Sequence, residues 1–586
     1  MSAWRRAWDE HPAAVSAALV LLAALVASLS SLGSGFALDD VLIIEGRRRL
    51  HTLRAPLELL TTAYWQLPPD DTLWRPLGLL SFAAQWVVAN GAATMFHVVS
   101  VVLYLLVSLS VLALAWTLLP PVGALAAGLV FAVHPVHVET VGNIVGQLEL
   151  WVALATVGAA ALYVHARRRG ALDASTIALL LACYAIGLGM KEHAVLLPAY
   201  LLALEATVLR DAPSATSVRR APVGTSVRIL FGLCAALALV WLSVRSGIVD
   251  GLAGDRPHLA LKGLGIAERS WVMLGLVPEF ARLLLWPARL YADYSPQFVT
   301  LHTTPALAHL PGAALLLGGL GLLRWSWDRD RAMALGLLWI PIALALIANI
   351  IVPTGILLAE RTLFLSTVGV ALVLGAMLAR ALPRIAAWPA SVRTLSYALG
   401  GAVLVLAAAH SAERQHVWEN NDTLIASLVI DAPQNFRGHF WLGDELLRKG
   451  QLVEGEQSMR RAMALWPEHD GPPLGLALRY QERGMCRPAL DLYTIARRIE
   501  PLKPTPHFGY AGCLLTIGRY HEARAAAFEG LATGRSAVAF RYLILQADSA
   551  LAATDSVRSN NWWVRRRRTS CNESLDSPRC AESPRG

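Results

Sequence analysis

The chain has 586 residues, 55% of them hydrophobic and only 16% charged, with a formal net charge of +9. That balance excludes an ordinary soluble protein of several domains and predicts a polytopic membrane protein of all-α class. The positive charge lies largely in loops between apolar runs and in the arginine run 565–568, so it does not signal nucleic acid.

Arg5 and Arg6 precede a first apolar segment at 13–32, and no small-residue cleavage site follows it. It reads as a retained anchor rather than a cleaved leader. Phe36-Ala37-Leu38-Asp39-Asp40 comes directly after. Ionisable groups at the centre of a membrane helix cost roughly 2.5–3.5 kcal/mol, so chains that place them near hydrocarbon generally use them. The Asp pair therefore marks a candidate site at the mouth of the first helix, against the blander reading of a solvated loop start.

Apolar runs long enough to cross a bilayer fall at 14–32, 97–119, 121–136, 148–165, 174–190, 193–209, 228–247, 305–323, 331–351, 362–381 and 394–411, which predicts eleven spans. Two further stretches, 74–88 and 271–286, are assigned to the interface. The second contains Pro278, Glu279 and Arg282, and the first opens Trp74-Arg75-Pro76 and includes Gln85. With the N-terminus inside, alternation puts Arg167-Arg168-Arg169 and the basic loops 210–228, 324–331 and 384–393 on the cytoplasmic side, as the positive-inside rule requires. The opposite face then receives Asp39, Asp40, the segment 134–139, Lys191-Glu192-His193, Glu360-Arg361 and everything after His410.

Beyond the last apolar run the sequence repeats itself. Pro433, Pro467 and Pro501 are 34 residues apart, as are Gly450, Gly484 and Gly518, and Leu442/Leu476 and Ala462/Ala496 keep the same interval. This is the tetratricopeptide (TPR) period, helix pairs that bury their apolar faces only by stacking and that present a groove for peptides or partner proteins, or act as a rigid spacer. The expected organisation is a membrane domain over 1–412, repeats over 413–553 with a capping helix at 538–553, and a disordered tail over 554–586. Antiparallel packing brings Cys486 near Cys513, as a bridge or as two buried thiols, while Cys183 and Cys234 are apolar fillers of membrane helices.

The chain lacks a phosphate-cradling Gly-rich loop, a Cys pair with zinc spacing and a nucleophile elbow. His134-Pro135-Val136-His137-Val138-Glu139 reads as a helix-end polar network in preference to a metal site, and neither metal nor cofactor is expected. What remains is carboxylates beside cations at a lipid interface. A carboxylate can take a proton from a hydroxyl nucleophile, and Lys191 and Arg361 supply charge suited to phosphate oxygens. Together they suit displacement of a phosphate leaving group from a sugar carried on a membrane lipid.

Several stretches in order carry a family resemblance: Phe36-Ala37-Leu38-Asp39-Asp40, Trp74-Arg75-Pro76-Leu77, Phe96-His97-Val98-Val99 and the segment from Phe131 to Glu139, then Lys191-Glu192, Leu285-Trp286-Pro287, Ala292-Asp293-Tyr294-Ser295 and Ala359-Glu360-Arg361-Thr362-Leu363-Phe364. In these the chain resembles the transmembrane and TPR-containing O-mannosyltransferases, from about residue 30 through the repeats. The resemblance implies a GT-C fold of about eleven membrane helices and an inverting transfer from a polyprenyl- or dolichyl-phosphate sugar to a protein or peptide acceptor recruited by the repeats. It also implies catalytic Asp39 or Asp40, donor-phosphate binding by Lys191, Arg361 and Arg75, and a supporting network of His134, His137, Glu139, Glu192, His193 and Glu360. The chain departs from the family pattern at Gly146-Gln147-Leu148-Glu149, where relatives tend to have Gly-Arg-Ala-Asp.

The leading expectation is a multi-pass glycosyltransferase acting on protein Ser or Thr, with site and repeats extracytoplasmic, in a bacterial inner membrane by its Ala- and Arg-rich composition. The alternatives are transfer to lipid or surface polysaccharide, a non-enzymatic scaffold displaying the repeats, and a transporter, whose ionisable groups belong at the midplane and not at one rim.

Overall fold

The computed structural model describes residues 8–65, 73–170, 172–210, 224–249, 258–294, 300–534 and 536–572. Among these every regular element is a helix, and the chain divides into two compact units, Met1–Ala432 and Pro433–Gly586. The division falls twenty residues later than the fall in hydropathy at 412, because Asn421–Asp431 belongs to the first unit. There Leu38 N–H donates to Asn421 Oδ1 at 2.7 Å and Gly35 N–H to the Glu419 carbonyl at 2.8 Å.

Each of the eleven apolar runs carries a helix, making the first unit an all-α membrane bundle. Among the described residues seven helices are long and apolar enough to cross: Pro12–Gly33, Ala93–Leu118, Ile144–Arg168, Thr225–Ile248, Leu307–Ser326, Ser366–Ala386 and Ala390–Trp418. Pro121–Ala132 with Pro135–Gly142, bent by 46°, adds an eighth if the pair counts as one span. The other three, Ala174–Met190, Leu197–Ala206 and Arg331–Leu344, have 17, 10 and 14 residues. At 1.5 Å per residue they reach only about 15 to 25 Å. The apolar runs of the last two continue, but as 3-10 turns and loops. Such irregular backbone at membrane depth is tolerated only where protein or a polar cavity surrounds it.

The bundle closes through small residues. A Cβ at Gly336 would meet the Gly369 carbonyl at 2.7 Å and one at Gly369 the Gly336 carbonyl at 2.5 Å, so Arg331–Leu344 and Ser366–Ala386 touch backbone to backbone. Pro76–Ala89, assigned to the interface, packs one face into the bundle while Val87 and Val88 stay exposed. Leu79, Phe82 and Ala83 are fully buried, and Gln85 Nε2 donates to Gln147 Oε1 at 3.0 Å, which satisfies its amide inside the bundle. Ile266–Leu285 keeps one buried face of Val272, Leu276 and Leu283 and is not among the seven crossing helices.

In the second unit three helix pairs follow one another: Phe436–Arg448 with Leu452–Leu465, Gly471–Glu482 with Cys486–Ile499, and Pro504–Thr516 with Tyr520–Leu531. The periodic glycines sit at the turn within each pair with φ of +84°, +74° and +80°, a left-handed conformation that glycine adopts without steric cost. Cys486 and Cys513 are buried free thiols side by side. The closing helix runs Ala537–Asn572, well past the expected end at 553, so the start of the tail is helical and 573–586 lies outside the described residues.

Candidate functional site

The helix interruptions converge on one end of the first unit. The first helix ends in a 3-10 turn at Leu29–Gly33, and the chain then passes through Leu38 at φ +54° into a π-helical turn at Val41–Glu45. A left-handed residue bearing a Cβ costs roughly 1–2 kcal/mol, and such strain concentrates at functional loops. The loop is braced by His97, whose Nε2–H donates to the Gly35 carbonyl at 3.1 Å.

The Asp pair separates into two environments. Asp40 is fully buried and accepts from the N–H groups of Val145 at 2.8 Å, Ile144 at 3.1 Å and Ala37 at 3.3 Å. Burial pushes its carboxyl up to about 7, with the three N–H donors pulling the other way. Asp40 thus ties the first loop to the turn before helix Gln147–Arg168 and has no lone pair turned to solvent, so the catalytic expectation for it lacks geometric support. Asp39 is 23% exposed, with Oδ2 3.9 Å from Arg361 Nη2.

Arg361 sits in a 3-10 turn, Glu360–Leu363, just before Ser366–Ala386. Glu139 holds it twice, Oε1 accepting from Nη1 at 2.6 Å and Oε2 from the Arg361 backbone N–H at 2.8 Å. Burial opposes the charge on Arg361, but Glu139 and Asp39 keep the guanidinium firmly protonated. Lys191, at the break between Ala174–Met190 and the Glu192–Leu196 turn, ion-pairs with Glu149, whose other oxygen lies 3.0 Å from His193 Nε2. Burial lowers the pKa of Lys191, with Glu149 pulling the other way. Arg75, at the N-cap of Pro76–Ala89, pairs with Glu192 at 2.9 Å and stacks 4.7 Å over the Tyr64 ring.

Arg75, Lys191 and Arg361 thus each clasp a carboxylate. Among the described residues Asp39 is the one acid of this cluster with no partner closer than 3.9 Å. No three His, Cys, Asp or Glu side chains among the described residues gather as metal ligands.

The rest of the expected network stands beside this cluster. His134 Nε2–H donates to the Leu284 carbonyl at 3.1 Å. His137 Nε2–H donates to Thr367 Oγ1 at 2.8 Å, and its Nδ1 lies 3.0 Å from the Tyr104 hydroxyl. The two histidines lock the bent helix to its neighbours and do not reach Asp39. Glu360 accepts from the Tyr291 N–H at 2.7 Å and the Tyr294 hydroxyl at 2.8 Å, and burial followed by repulsion from Glu139 raises it to about 8.

Two members went unselected in sequence. Glu149 entered only as a departure from a motif, although a carboxylate at the start of a helix facing Lys191 is a usable signal. Tyr64 lies in no motif, and only the fold places it under Arg75. The other half of the departure, Gln147, donates to the Phe96 carbonyl at 2.7 Å and to Gln85 Oε1 at 3.2 Å, so it faces the packed interior and not the charged cluster.

No protein-family model matches the chain. It is similar to protein O-mannosyl-transferase TMTC3 from Homo sapiens, 22% identical over 512 residues covering 80% of this chain and 54% of that protein. A second relative, protein O-mannosyl-transferase F38B6.6 from Caenorhabditis elegans, is 22% identical over 471 residues, 77% of this chain and 63% of its own length. Protein O-mannosyl-transferase Tmtc1 from Drosophila melanogaster is 36% identical over a shorter stretch of 132 residues, 22% of this chain and 15% of that protein. The resemblance read from the motifs therefore extends over four-fifths of the chain, which spans about half the length of the human relative.

Proposed function

We propose that this multi-pass membrane protein is a glycosyltransferase that moves mannose or a related hexose from a polyprenyl- or dolichyl-phosphate donor to a Ser or Thr hydroxyl of a protein. The observation that carries the reading is Asp39, the partly exposed carboxylate whose sole ion-pair contact among the described residues is the long 3.9 Å approach of Arg361, in a cluster whose three cations are preset. The acceptor oxygen attacks the anomeric carbon as the bond to the donor phosphate breaks. The electron pair leaves with the phosphate, and Asp39 receives the hydroxyl proton. A single displacement of this kind inverts the anomeric centre. Arg361, Lys191 and Arg75 stabilise the leaving phosphate, Arg361 using the donors that Glu139 does not occupy. Glu139, Glu149 and Glu192 hold those cations in place, and the repeats recruit the acceptor.

The names of the relatives support protein as the acceptor class. The arginine-rich turns at the other helix ends support an extracytoplasmic position for the site. The test is transfer by the purified full chain in proteoliposomes, offered mannose on polyprenyl phosphate or on a nucleotide, with Ser/Thr peptides and Ala-substituted controls. Hexose appearing on the Ser/Thr peptide from the lipid donor alone is expected. Transfer from the nucleotide sugar, or to lipid with the peptide unmodified, contradicts the reading.

A further inference from the structure

We propose a second anion site, at the opposite end of the first unit, that holds the phosphate of an anionic phospholipid. Helix Gln147–Arg168 starts beside the charged cluster and ends at Arg168, and Ser366–Ala386 starts beside Arg361 and carries Arg380 in its second half. At 1.5 Å per residue, Glu149 and Arg168 are about 28 Å apart along the helix, so the two sites lie near opposite leaflets.

Here a cavity of about 490 Å³ opens between the helix ends, with Arg168, Arg329, Arg331 and Arg380 on its walls beside Asp328 and Asp330. The two acids are already engaged. Asp330 pairs with Arg380 at 2.5 Å and caps the next helix by accepting from the Met333 N–H at 3.0 Å, while Asp328 pairs with Arg210 at 3.1 Å and Arg324 at 3.9 Å. Among the described residues, Arg168 and Arg329 donate to the carbonyl oxygens of Thr117 and Trp325 and to no carboxylate. Their remaining N–H groups suit phosphate oxygens, which guanidinium forks engage in pairs.

The surroundings favour a lipid over a free ion. Leu118, Leu119 and Ala376 give the cavity an apolar floor. The Trp325 ring has the Arg329 guanidinium 6.0 Å and the Arg380 guanidinium 5.3 Å from its centroid. Trp325 stands at the end of a helix whose Leu316, Leu317 and Leu320 are exposed, an acyl-chain face leading up to an interfacial tryptophan. An amphiphile matches both halves, its phosphate on the arginines and its chains along the leucines.

Native mass spectrometry of the full chain, titrated with phosphatidylglycerol or phosphatidylcholine, tests this. Selective retention of phosphatidylglycerol is expected, about 30-fold weaker in the Arg168→Gln/Arg329→Gln double variant and unchanged in Arg384→Gln, which does not line the cavity. Equal retention in wild type and double variant overturns the proposal. Displacement of the lipid by millimolar inorganic phosphate also overturns it, by making the occupant a free anion. Photoactivatable phosphatidylglycerol on the unmutated chain gives a readout that no folding defect affects. Adducts concentrated at 116–120 and 325–332 support the site, and adducts spread evenly over the helices refute it.

Discussion

At the scale of single residues, two neighbouring aspartates stand in different environments, and the proposed function gives them different roles. Asp39→Asn is expected to lower transfer by about 10²- to 10⁴-fold, the range for loss of a positioned general base, with the melting temperature unchanged. Asp40→Asn is expected to cost about 1–3 kcal/mol of stability, because an amide NH2 would face backbone N–H donors that now reach carboxylate oxygens. Thermal unfolding read beside transfer separates the two, and a stable, inactive Asp40→Asn would reverse the assignment. Glu360 adds a pH test. Its folded carboxyl is raised to about 8, so its contribution to stability is complete below the ordinary carboxylate range and is lost as pH climbs through about 8. Glu360→Gln is expected to flatten the fall in melting temperature between pH 5 and 9, and parallel curves would contradict the buried, neutral Glu360. The sequence shows the Asp pair and its likeness to a family, but not which member is covered, because the covering N–H groups belong to Ile144 and Val145, a hundred residues on.

At the scale of elements, each apolar run read from the sequence carries a helix among the described residues, while helix length escaped the reading. Lys191 sits at a helix end and Glu139 in the short helix after a break, and both pair with partners, Glu149 and Arg361, from distant segments. The repeat turns were fully legible, because a local φ requirement writes glycine at a fixed interval. Helix contact is a further element-scale property. Gly369→Leu must push apart two backbones in contact and is expected to destabilise by at least about 1–3 kcal/mol. Gly319→Leu, with open space around its Cα, is expected to change stability by less than about 0.5 kcal/mol. Unfolding of the two variants in detergent checks the contrast, and equal losses would contradict the backbone contact.

At the scale of the whole molecule, the proposed function assigns transfer to the first unit and acceptor recruitment to the second. A chain ending at Ala432 is expected to keep transfer to short Ser/Thr peptides and to lose more than about tenfold of its transfer to protein acceptors, the loss expected when a tethered recruiting module is removed. Equal losses for peptide and protein would make the repeats a structural support and not a recruiting surface. The sequence exposed this division through a change in composition at 412, whereas the compact units meet at Ala432, since Asn421–Asp431 braces the loop that carries Asp39. The central claim is that Asp39 accepts the proton of an incoming hydroxyl while arginine and lysine hold the departing phosphate. Its most direct test is single-turnover transfer from polyprenyl-phosphate mannose to a Ser/Thr peptide by wild type and Asp39→Asn at saturating donor. The account predicts unchanged donor binding with transfer reduced by at least about 100-fold, and contradiction would be an Asp39→Asn protein that transfers the sugar at the wild-type rate.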